Sequence, residues 1–546
     1  LIFLVVTSYY QTIYAYPDGG GAYIVTRDNL GPIYGKIAGA ALIIDYTLTV
    51  AVSITAGVLA IVSMAPQTQP YIVPMGLAAV GILTLANLRG AKESGTLFAI
   101  PTYSFVLLMG AMIVGGLFGA APAEPREIEE ARKALDPNFW TTFAFITIAF
   151  KAFSSGCAAL TGIEAISDGA GAFREPSAKN ASATLLIMAS LLAVLFTGTS
   201  WVANKYHVVP IKHIDSPEYQ TVVSQIAEAV FSRSTPFGNA FFFALQIATA
   251  TILLLAANTA YADFPRVASF LARDGYLPRQ LANLGDRLVF QNGILVLAGA
   301  ASILILKFQG DTHALIPLYA VGVFVSFTLS QAGMVARAKK MFGKLEAKNY
   351  VSLFGAILTA ILAIVLLVSK FTEGAWVVPF AFLVLLWVYA GVRRHYDYLA
   401  KQLEIAPGDQ LAPVRTTVVL LVPRLHRGIL QAIAYARALS EDVRAIHVTI
   451  DQKNVSSVKD AWLKFGEDIP LVILESPFRS LVQPVTDYVD QTLAEDPDLF
   501  ITVIVPEAIP KVFWHRLLHN NIATSLKAVL GSRRNVVITN VRYFLD

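Results

Sequence analysis

The chain has 546 residues, of which 55% are hydrophobic and only 15% are charged, and its mean hydropathy is +0.58. Soluble proteins are less apolar, so this composition predicts a membrane protein. The net charge of +4 is too small to indicate a nucleic-acid partner, and the single cysteine, Cys157, excludes a disulfide framework and a Cys-based metal site. No Walker A, HExxH or paired CxxC motif occurs, which argues against an ATP-driven pump and most metal-assisted enzymes. We expect neither enzymatic activity nor a cofactor.

Eleven segments are long and apolar enough to cross a bilayer as helices. They lie at about 1–16, 37–63, 71–88, 95–120, 139–170, 182–203, 237–262, 290–306, 313–336, 350–369 and 374–392. This pattern predicts a multi-pass protein of the cell membrane, embedded in the lipid bilayer.

Arginine and lysine are concentrated in alternate loops between these segments. The basic loops contain Arg27 and Lys36; Arg89 and Lys92; Arg174 and Lys179; Arg266, Arg273, Arg279 and Arg287; Arg337, Lys339, Lys340 and Lys344; and Arg393 and Arg394. The positive-inside rule therefore predicts a cytoplasmic C-terminus and a visible N-terminus outside. Because the chain starts at Leu1 within a short apolar segment, we expect at least one upstream helix to be missing. A signal peptide is the alternative for this segment, but a basic n-region and a clear cleavage site are absent.

Two stretches between the segments have the composition of loops. The first, YPDGGGAYIVTRDNLGP, is a Pro/Gly turn followed by a short amphipathic stretch, and its chemistry indicates a plain loop. The second follows position 262, where Pro265 and the residues 275–278 are turn signals. Neither stretch predicts a site by itself.

Asp45 is the one ionisable residue between Ile37 and Leu88. A charge near the bilayer centre costs at least about 2.5 kcal/mol, so such a residue is a functional candidate. Thr49 and Ser53 follow four and eight residues later and lie on nearly the same helix face. This strip of oxygen ligands suits a small cation or a proton. The alternative is structural, because an Asp can join two helices and hydroxyls can bond their own backbone.

The segment 139–170 is too long for one straight helix and contains a cluster of helix-weakening residues, Ser154, Ser155, Gly156 and Gly162. Unwound backbone at membrane depth is tolerated where it lines a cavity, and its freed carbonyl groups can bind ions or substrates. Thr161 and Glu164 lie at this break and are candidate ligands. Two alternatives are that the glycines serve close helix packing and that Lys151 pairs with Glu164. In the segment 313–336, Tyr319 needs a polar partner and is a further candidate for the cavity, or an interfacial tyrosine.

From residue 411 the pattern changes to five short β-rich runs alternating with helical ones. The runs are TTVVLLVP, VRAIHVTI, LVILES, LFITVIVP and NVVITNVRYF. They predict a parallel, doubly wound α/β domain, whose ligands bind at the carboxyl ends of the strands. We therefore expect a transmembrane domain at 1–394, a linker at 395–410 and the α/β domain at 411–546.

Four motifs carry a family resemblance: YPDGGGAYIV, DYTLTVAVSITAG, TGIEAISDGAGAFREPSAKNA and NTAYADFPRVASFLARDGYLP. They resemble the amino acid, polyamine and organocation transporter superfamily (APC) and, within it, the KimA-type potassium transporters of bacteria. The resemblance implies an α-helical membrane protein with the LeuT fold, in which ten of twelve helices form two inverted five-helix repeats. The first helix would be the one missing here, and the first visible segment would be the second.

The resemblance also implies the site and its regulation. It assigns ion binding or proton coupling to Asp45, Tyr46, Thr49, Ser53, Thr161, Glu164 and Tyr319, with potassium as the metal ion bound there. It implies a C-terminal domain that is similar to universal stress proteins, forms a homodimer and binds cyclic di-AMP as an inhibitor. The chain lacks the glycine-rich phosphate loop of the ATP-binding stress proteins, so ATP binding is not expected.

Together these observations predict a secondary active transporter for potassium uptake, with protons as the coupling ion. Two alternatives stay open. An amino acid permease of the same superfamily would hold its substrate with half-helix ends and Gly-rich backbone. A sensor anchored by its membrane part would need neither a polar strip nor a broken helix.

Overall fold

A computed structural model describes most of the chain and divides it into two compact units, Leu1–Glu404 and Ile405–Asp546. The described residues are 1–19, 21–90, 95–119, 152–153, 156–211, 214, 216, 219–285, 289–371, 374–406, 413–423, 425–449, 455–466, 468–476, 481–509 and 522–544. The first unit is helical, and the second contains a parallel β-sheet.

The described part of the first unit contains thirteen α-helices. They are α1 Ile2–Ala15, α2 Gly21–Leu30, α3 Pro32–Met64, α4 Ile72–Leu88, α5 Gly95–Phe118, α6 Ile163–Asp168, α7 Ser177–Lys205, α8 Val222–Phe231, α9 Pro236–Arg273, α10 Gln291–Phe308, α11 Thr312–Phe342, α12 Ala347–Ser369 and α13 Val377–Leu403. Short 3₁₀ turns occur at Pro66–Tyr71, Cys157–Leu160, Ala170–Ala172 and Arg279–Leu281.

Nine helices among the described residues are long and apolar enough to span a membrane. They are α3, α4 with its preceding 3₁₀ turn, α5, α7 and α9 to α13, and they confirm nine of the eleven predicted segments. The first predicted segment is α1, a helix of 14 residues. The fifth lies largely outside the described residues, which cover 152–153 and 156–170 of it.

α3, which carries Asp45, lies at the centre of the first unit, the membrane unit, and packs against α2, α4, α9, α10, α11 and α13. Glycines permit the close approach of its neighbours. A Cβ atom at Gly57 would lie 3.3 Å from the backbone oxygen of Ala250 in α9, and one at Gly322 in α11 would lie 3.5 Å from that of Ala41. Asp45 is therefore enclosed by protein rather than by lipid.

Two predicted loops are helical instead. The stretch after the first segment contains α2, whose Ala22, Tyr23 and Val25 are buried against α3, α6 and α11. The predicted turn at Pro265 is also wrong, because α9 continues through this residue to Arg273. Pro265 fits there because Gly293 in α10 leaves it room: a Cβ atom on that glycine would lie 2.8 Å from the Cβ atom of Pro265. Tertiary packing overrides the local turn signal in both places.

The C-terminal unit is a five-stranded parallel sheet with helices between its strands. In chain order the described elements are β1 Thr416–Leu421, α14 Arg427–Leu439, β2 Val443–Thr449, α15 Val455–Phe465, β3 Leu471–Glu475, α16 Val482–Glu495, β4 Phe500–Ile509, α17 Ile522–Leu530 and β5 Val536–Phe544. The strand order β3-β2-β1-β4-β5 confirms the predicted parallel α/β architecture. Val418 and Leu420 pack on one face with Ile429 of α14, and Val419 packs on the other face with Leu526 of α17. Burial on both faces explains why β1 is an uninterrupted apolar run.

Two element ends differ from the predicted ones. β4 continues past Pro506 to Ile509, because β5 pairs with it along this stretch. Its pairing with β1 ends at Ile504, so the missing N–H of Pro506 faces no strand on that side. α13 extends to Leu403, so helix occupies the part of the predicted linker between 395 and 403.

Candidate functional site

Asp45 lies on α3 opposite Gly322 of α11 and is only 2% exposed. A Cβ atom at Gly322 would lie 3.9 Å from the Cβ atom of Asp45, so the absence of a side chain there leaves space beside the carboxyl group. Thr49, one turn further along α3, lies within hydrogen-bonding reach of this carboxyl group. Asp45 and Thr49 therefore share one face of α3, as their spacing predicts.

The predicted helix break is present in the described residues around Gly162. A 3₁₀ turn at Cys157–Leu160 is followed by Thr161 and Gly162, and Gly162 has a φ of +87°. This left-handed conformation favours glycine and interrupts the helical direction. α6 begins directly afterwards and carries Glu164 in its first turn, where the side chain is 1% exposed.

The break brings two buried carboxyl groups together. Asp45 and Glu164 lie within hydrogen-bonding reach of each other. Ser326 of α11 donates a hydrogen bond of 2.9 Å to Oε2 of Glu164, and the Tyr9 hydroxyl of α1 lies 3.5 Å from the same oxygen. Oδ1 of Asp45 and Oε1 of Glu164 have no hydrogen-bond partner among the described residues. Two adjacent buried carboxylates repel each other, so the pair is stable with a shared proton or a bound cation.

Hydroxyl groups complete this cluster. Tyr319 of α11 lies within hydrogen-bonding reach of Thr49 and Thr161, so its side chain connects α3 to the break. The structure thus brings together five of the seven predicted residues: Asp45, Thr49, Thr161, Glu164 and Tyr319. Ser53 is buried one turn beyond Thr49, and no hydrogen bond from it to the other five occurs in the described part of the chain. Lys151, a predicted partner of Glu164, lies outside the described residues.

Tyr46 belongs to a separate cluster around Asp168. Its hydroxyl donates a hydrogen bond of 2.6 Å to Oδ2 of Asp168, at the end of α6. Arg266 of α9 donates to the backbone oxygen of Asp168 at 3.2 Å. The carboxylate also lies against the first residue of α2, Gly21, where the helix N-terminus favours negative charge. Tyr46 therefore holds α6 in place through Asp168 and does not contact the Asp45 carboxyl group.

We expect Tyr46→Phe to destabilise the protein by about 1–3 kcal/mol, because the buried Asp168 carboxylate loses its hydroxyl donor. Thermal unfolding of the purified protein in a neutral detergent measures this change. Tyr389→Phe is a matched control, since the buried Tyr389 hydroxyl has no hydrogen-bond partner among the described residues. Equal melting temperatures for the two variants would contradict the structural role of Tyr46.

Three contributing residues were not assigned to the site from the sequence. Ser326 follows Tyr319 by seven residues and Ser330 follows Ser326 by four, which places all three on one face of α11. Ser330 lies within hydrogen-bonding reach of Tyr9. The spacing on α11 was a usable signal for the serines, whereas nothing local distinguishes Tyr9 from the other tyrosines of α1.

Comparison with known proteins gives a family match for each unit. The amino acid permease family matches residues 1–393, and the KimA potassium transporter C-terminal domain family matches residues 414–543. The potassium transporter KimA of Bacillus subtilis (strain 168) is 39% identical over 548 residues, which cover 100% of this chain and 88% of that protein.

Two more distant relatives match parts of the chain. The low affinity potassium transport system protein Kup of Enterobacter sp. (strain 638) is 26% identical over 137 residues, 24% of this chain and 21% of that protein. The low-affinity putrescine importer PlaP of Escherichia coli (strain K12) is 22% identical over 340 residues, 60% of this chain and 69% of that protein. KimA and Kup are named for potassium transport, and PlaP is named for putrescine import.

Proposed function

Since the chain belongs to the family of KimA potassium transporters, we propose that it is a secondary active transporter that takes potassium into the cell with protons as the coupling ion. The observation that carries this proposal is the contact between the buried carboxyl groups of Asp45 and Glu164. A pair of this kind can hold a proton on one carboxyl group and a cation beside the other, because each relieves the repulsion between the carboxylates.

The residues around the pair supply neutral oxygen ligands. Potassium selectivity requires several oxygen atoms that replace the hydration shell of the ion. We assign this role to the hydroxyl groups of Thr49, Ser53, Thr161 and Tyr319, with backbone carbonyl groups of the broken segment. Asp45 and Glu164 balance the charge of the ion or carry the proton.

The site lies where side chains of α3, α6 and α11 meet, and this position supports transport by alternating access. In the inverted-repeat transporters with the LeuT fold, one helix bundle rocks against the other around a site at a broken helix. The break at Gly162 and the match to the amino acid permease family support this fold for the membrane unit. Rocking of α6 relative to α3 would open and close the Asp45–Glu164 contact and so couple proton movement to potassium movement.

The C-terminal unit is the regulatory part in this proposal. Its match to the KimA C-terminal domain family supports a universal stress protein-like domain that binds cyclic di-AMP and forms a homodimer. Basic loops, including the one with Arg337, Lys339 and Lys340, support a cytoplasmic location for it. In parallel α/β sheets, ligands bind at the carboxyl ends of the strands, which here include the end of β1.

Uptake into proteoliposomes containing the full-length protein tests the substrate and the coupling. We expect labelled rubidium or potassium to accumulate under an inward proton gradient, and a protonophore to abolish the accumulation. A panel of labelled amino acids and putrescine is measured in parallel.

An amino acid permease is the second candidate, favoured by the family match over residues 1–393. Amino acid uptake without any cation flux would establish that candidate and would mean that the carboxyl pair serves another purpose. Rubidium uptake unaffected by the protonophore would refute the proton coupling but retain the potassium transporter.

A further inference from the structure

A basic cavity of about 490 Å³ lies within the membrane unit, away from the Asp45 cluster. It is formed by the beginning of α3, the turn after α9 and the C-terminal half of α13. Its lining includes Lys36, Arg393, Arg394 and Lys401, and Asp397 is the one acidic residue among the described lining residues. The cavity therefore presents an excess of positive charge.

Most of this charge has no internal counter-ion. Arg393 pairs with Asp397 at 3.0 Å and donates to the backbone oxygen of Asp274. Lys36, Arg394 and Lys401 form no ion pair among the described residues; Lys36 instead lies 5.6 Å from the ring centroid of Tyr276. Cationic groups gathered around a cavity without acidic partners favour an anionic ligand.

The position of the cavity favours a lipid over a soluble anion as its ligand. The apolar stretch of α13 ends at Val392, and Arg393 and Arg394 follow, so the cavity opens at the membrane surface. One exposed face of α13 contains the apolar residues Leu383 and Trp387, which are 67% and 77% exposed. Ala390 and Arg394 continue the same face toward the cavity. This apolar stripe leads from the bilayer to the cavity and provides a surface for an acyl chain.

We propose that this cavity binds the phosphate headgroup of an anionic phospholipid, with Lys36, Arg394 and Lys401 as cationic contacts. The acyl chains lie along the Leu383–Trp387 stripe. The side of the membrane with the basic loops is also the side on which anionic lipids attract cationic residues.

Titration of the full-length protein in neutral detergent with phosphatidylglycerol tests the site, with the melting temperature as the readout. Phosphatidylcholine and inorganic phosphate are titrated in parallel. We expect phosphatidylglycerol to raise the melting temperature saturably, and phosphatidylcholine to have little effect. The double variant K36Q/R394Q should need about thirtyfold more phosphatidylglycerol for half of the effect.

Two further variants make the result specific. K401Q removes one exposed charge from the lining and should weaken the lipid response about fivefold. This variant also tests the proposal if K36Q/R394Q does not fold. K339Q/K340Q removes two exposed charges from the end of α11 and should respond as the wild type does.

Three results would overturn the proposal. A wild-type lipid response of K36Q/R394Q or of K401Q would exclude the cavity as the binding site. If K339Q/K340Q weakened the lipid response as much as K36Q/R394Q, diffuse surface charge would be what attracts the lipid. Stabilisation by inorganic phosphate at the same concentrations, in competition with the lipid, would identify a soluble anion as the ligand.

Discussion

Asp45→Asn is expected to reduce proton-coupled potassium uptake on the order of 100-fold while the protein stays folded. The asparagine side chain has nearly the same shape but neither takes up nor releases a proton and has no negative charge. Loss of the charge removes the repulsion between residue 45 and Glu164, so the melting temperature should stay the same or rise. Rubidium uptake into proteoliposomes and thermal unfolding are measured on the same preparation.

Asp311→Asn is the matched control for this change. Asp311 caps α11, where its Oδ1 accepts a hydrogen bond of 2.8 Å from the backbone N–H of His313. Asparagine caps helices equally well, so this variant should transport as the wild type does. Glu164→Gln should reproduce the loss, and the double variant D45N/E164Q should lose little more, because the two carboxyl groups act as a unit. Full coupled uptake by Asp45→Asn would refute the role of the pair.

Gly21→Ala is expected to prevent stable folding, with a destabilisation on the order of 4 kcal/mol or more. A Cβ atom at this position would overlap Oδ1 of Asp168, and the φ of +43° is strained for any residue with a side chain. Moving Asp168 would break its hydrogen bond with Tyr46 and displace α6, which carries Glu164. Size-exclusion chromatography and thermal unfolding of the detergent-solubilised protein measure the loss.

Gly81→Ala provides the control for a glycine inside a membrane helix. A Cβ atom on Gly81 would meet nothing within 4 Å, and alanine has the higher helix propensity. Its melting temperature should therefore equal that of the wild type or exceed it slightly. A Gly21→Ala protein that elutes and unfolds like Gly81→Ala would contradict the packing of α2 against Asp168.

Long apolar segments and regular β-rich runs made most of the fold predictable, since both signals are averaged over many residues. The nine spans and the parallel direction of the C-terminal strands follow from them. α2 and the continuation of α9 through Pro265 were not predictable, because packing against α3, α6, α10 and α11 stabilises both against local turn signals. Single residues such as Gly293 decide whether a helix continues through a turn signal. Their neighbours in space are known only once the fold is known.

The site was predictable where helical spacing was informative. Asp45 and Thr49 share a face because they are four residues apart, and the glycine at 162 indicated the break beside Glu164. The direction of Tyr46 was not predictable, because adjacent residues point to different sides of a helix and only the fold shows that Asp168 lies there. Asp45 and Asp168 are both carboxylates in apolar surroundings. Their partners differ, since Asp45 lies beside a second carboxyl group and Asp168 accepts a hydrogen bond from a tyrosine.

Proton movement driven by potassium tests most directly the claim that the Asp45–Glu164 pair couples the two ions. Potassium is added outside proteoliposomes that contain the full-length protein, a trapped pH dye and no internal potassium, with thiocyanate as the permeant counter-ion. Wild-type protein is predicted to acidify the interior on addition of potassium but not of sodium, and Asp45→Asn is predicted to give no acidification. Potassium entry without acidification in the wild type, or unchanged acidification with Asp45→Asn, would contradict the claim.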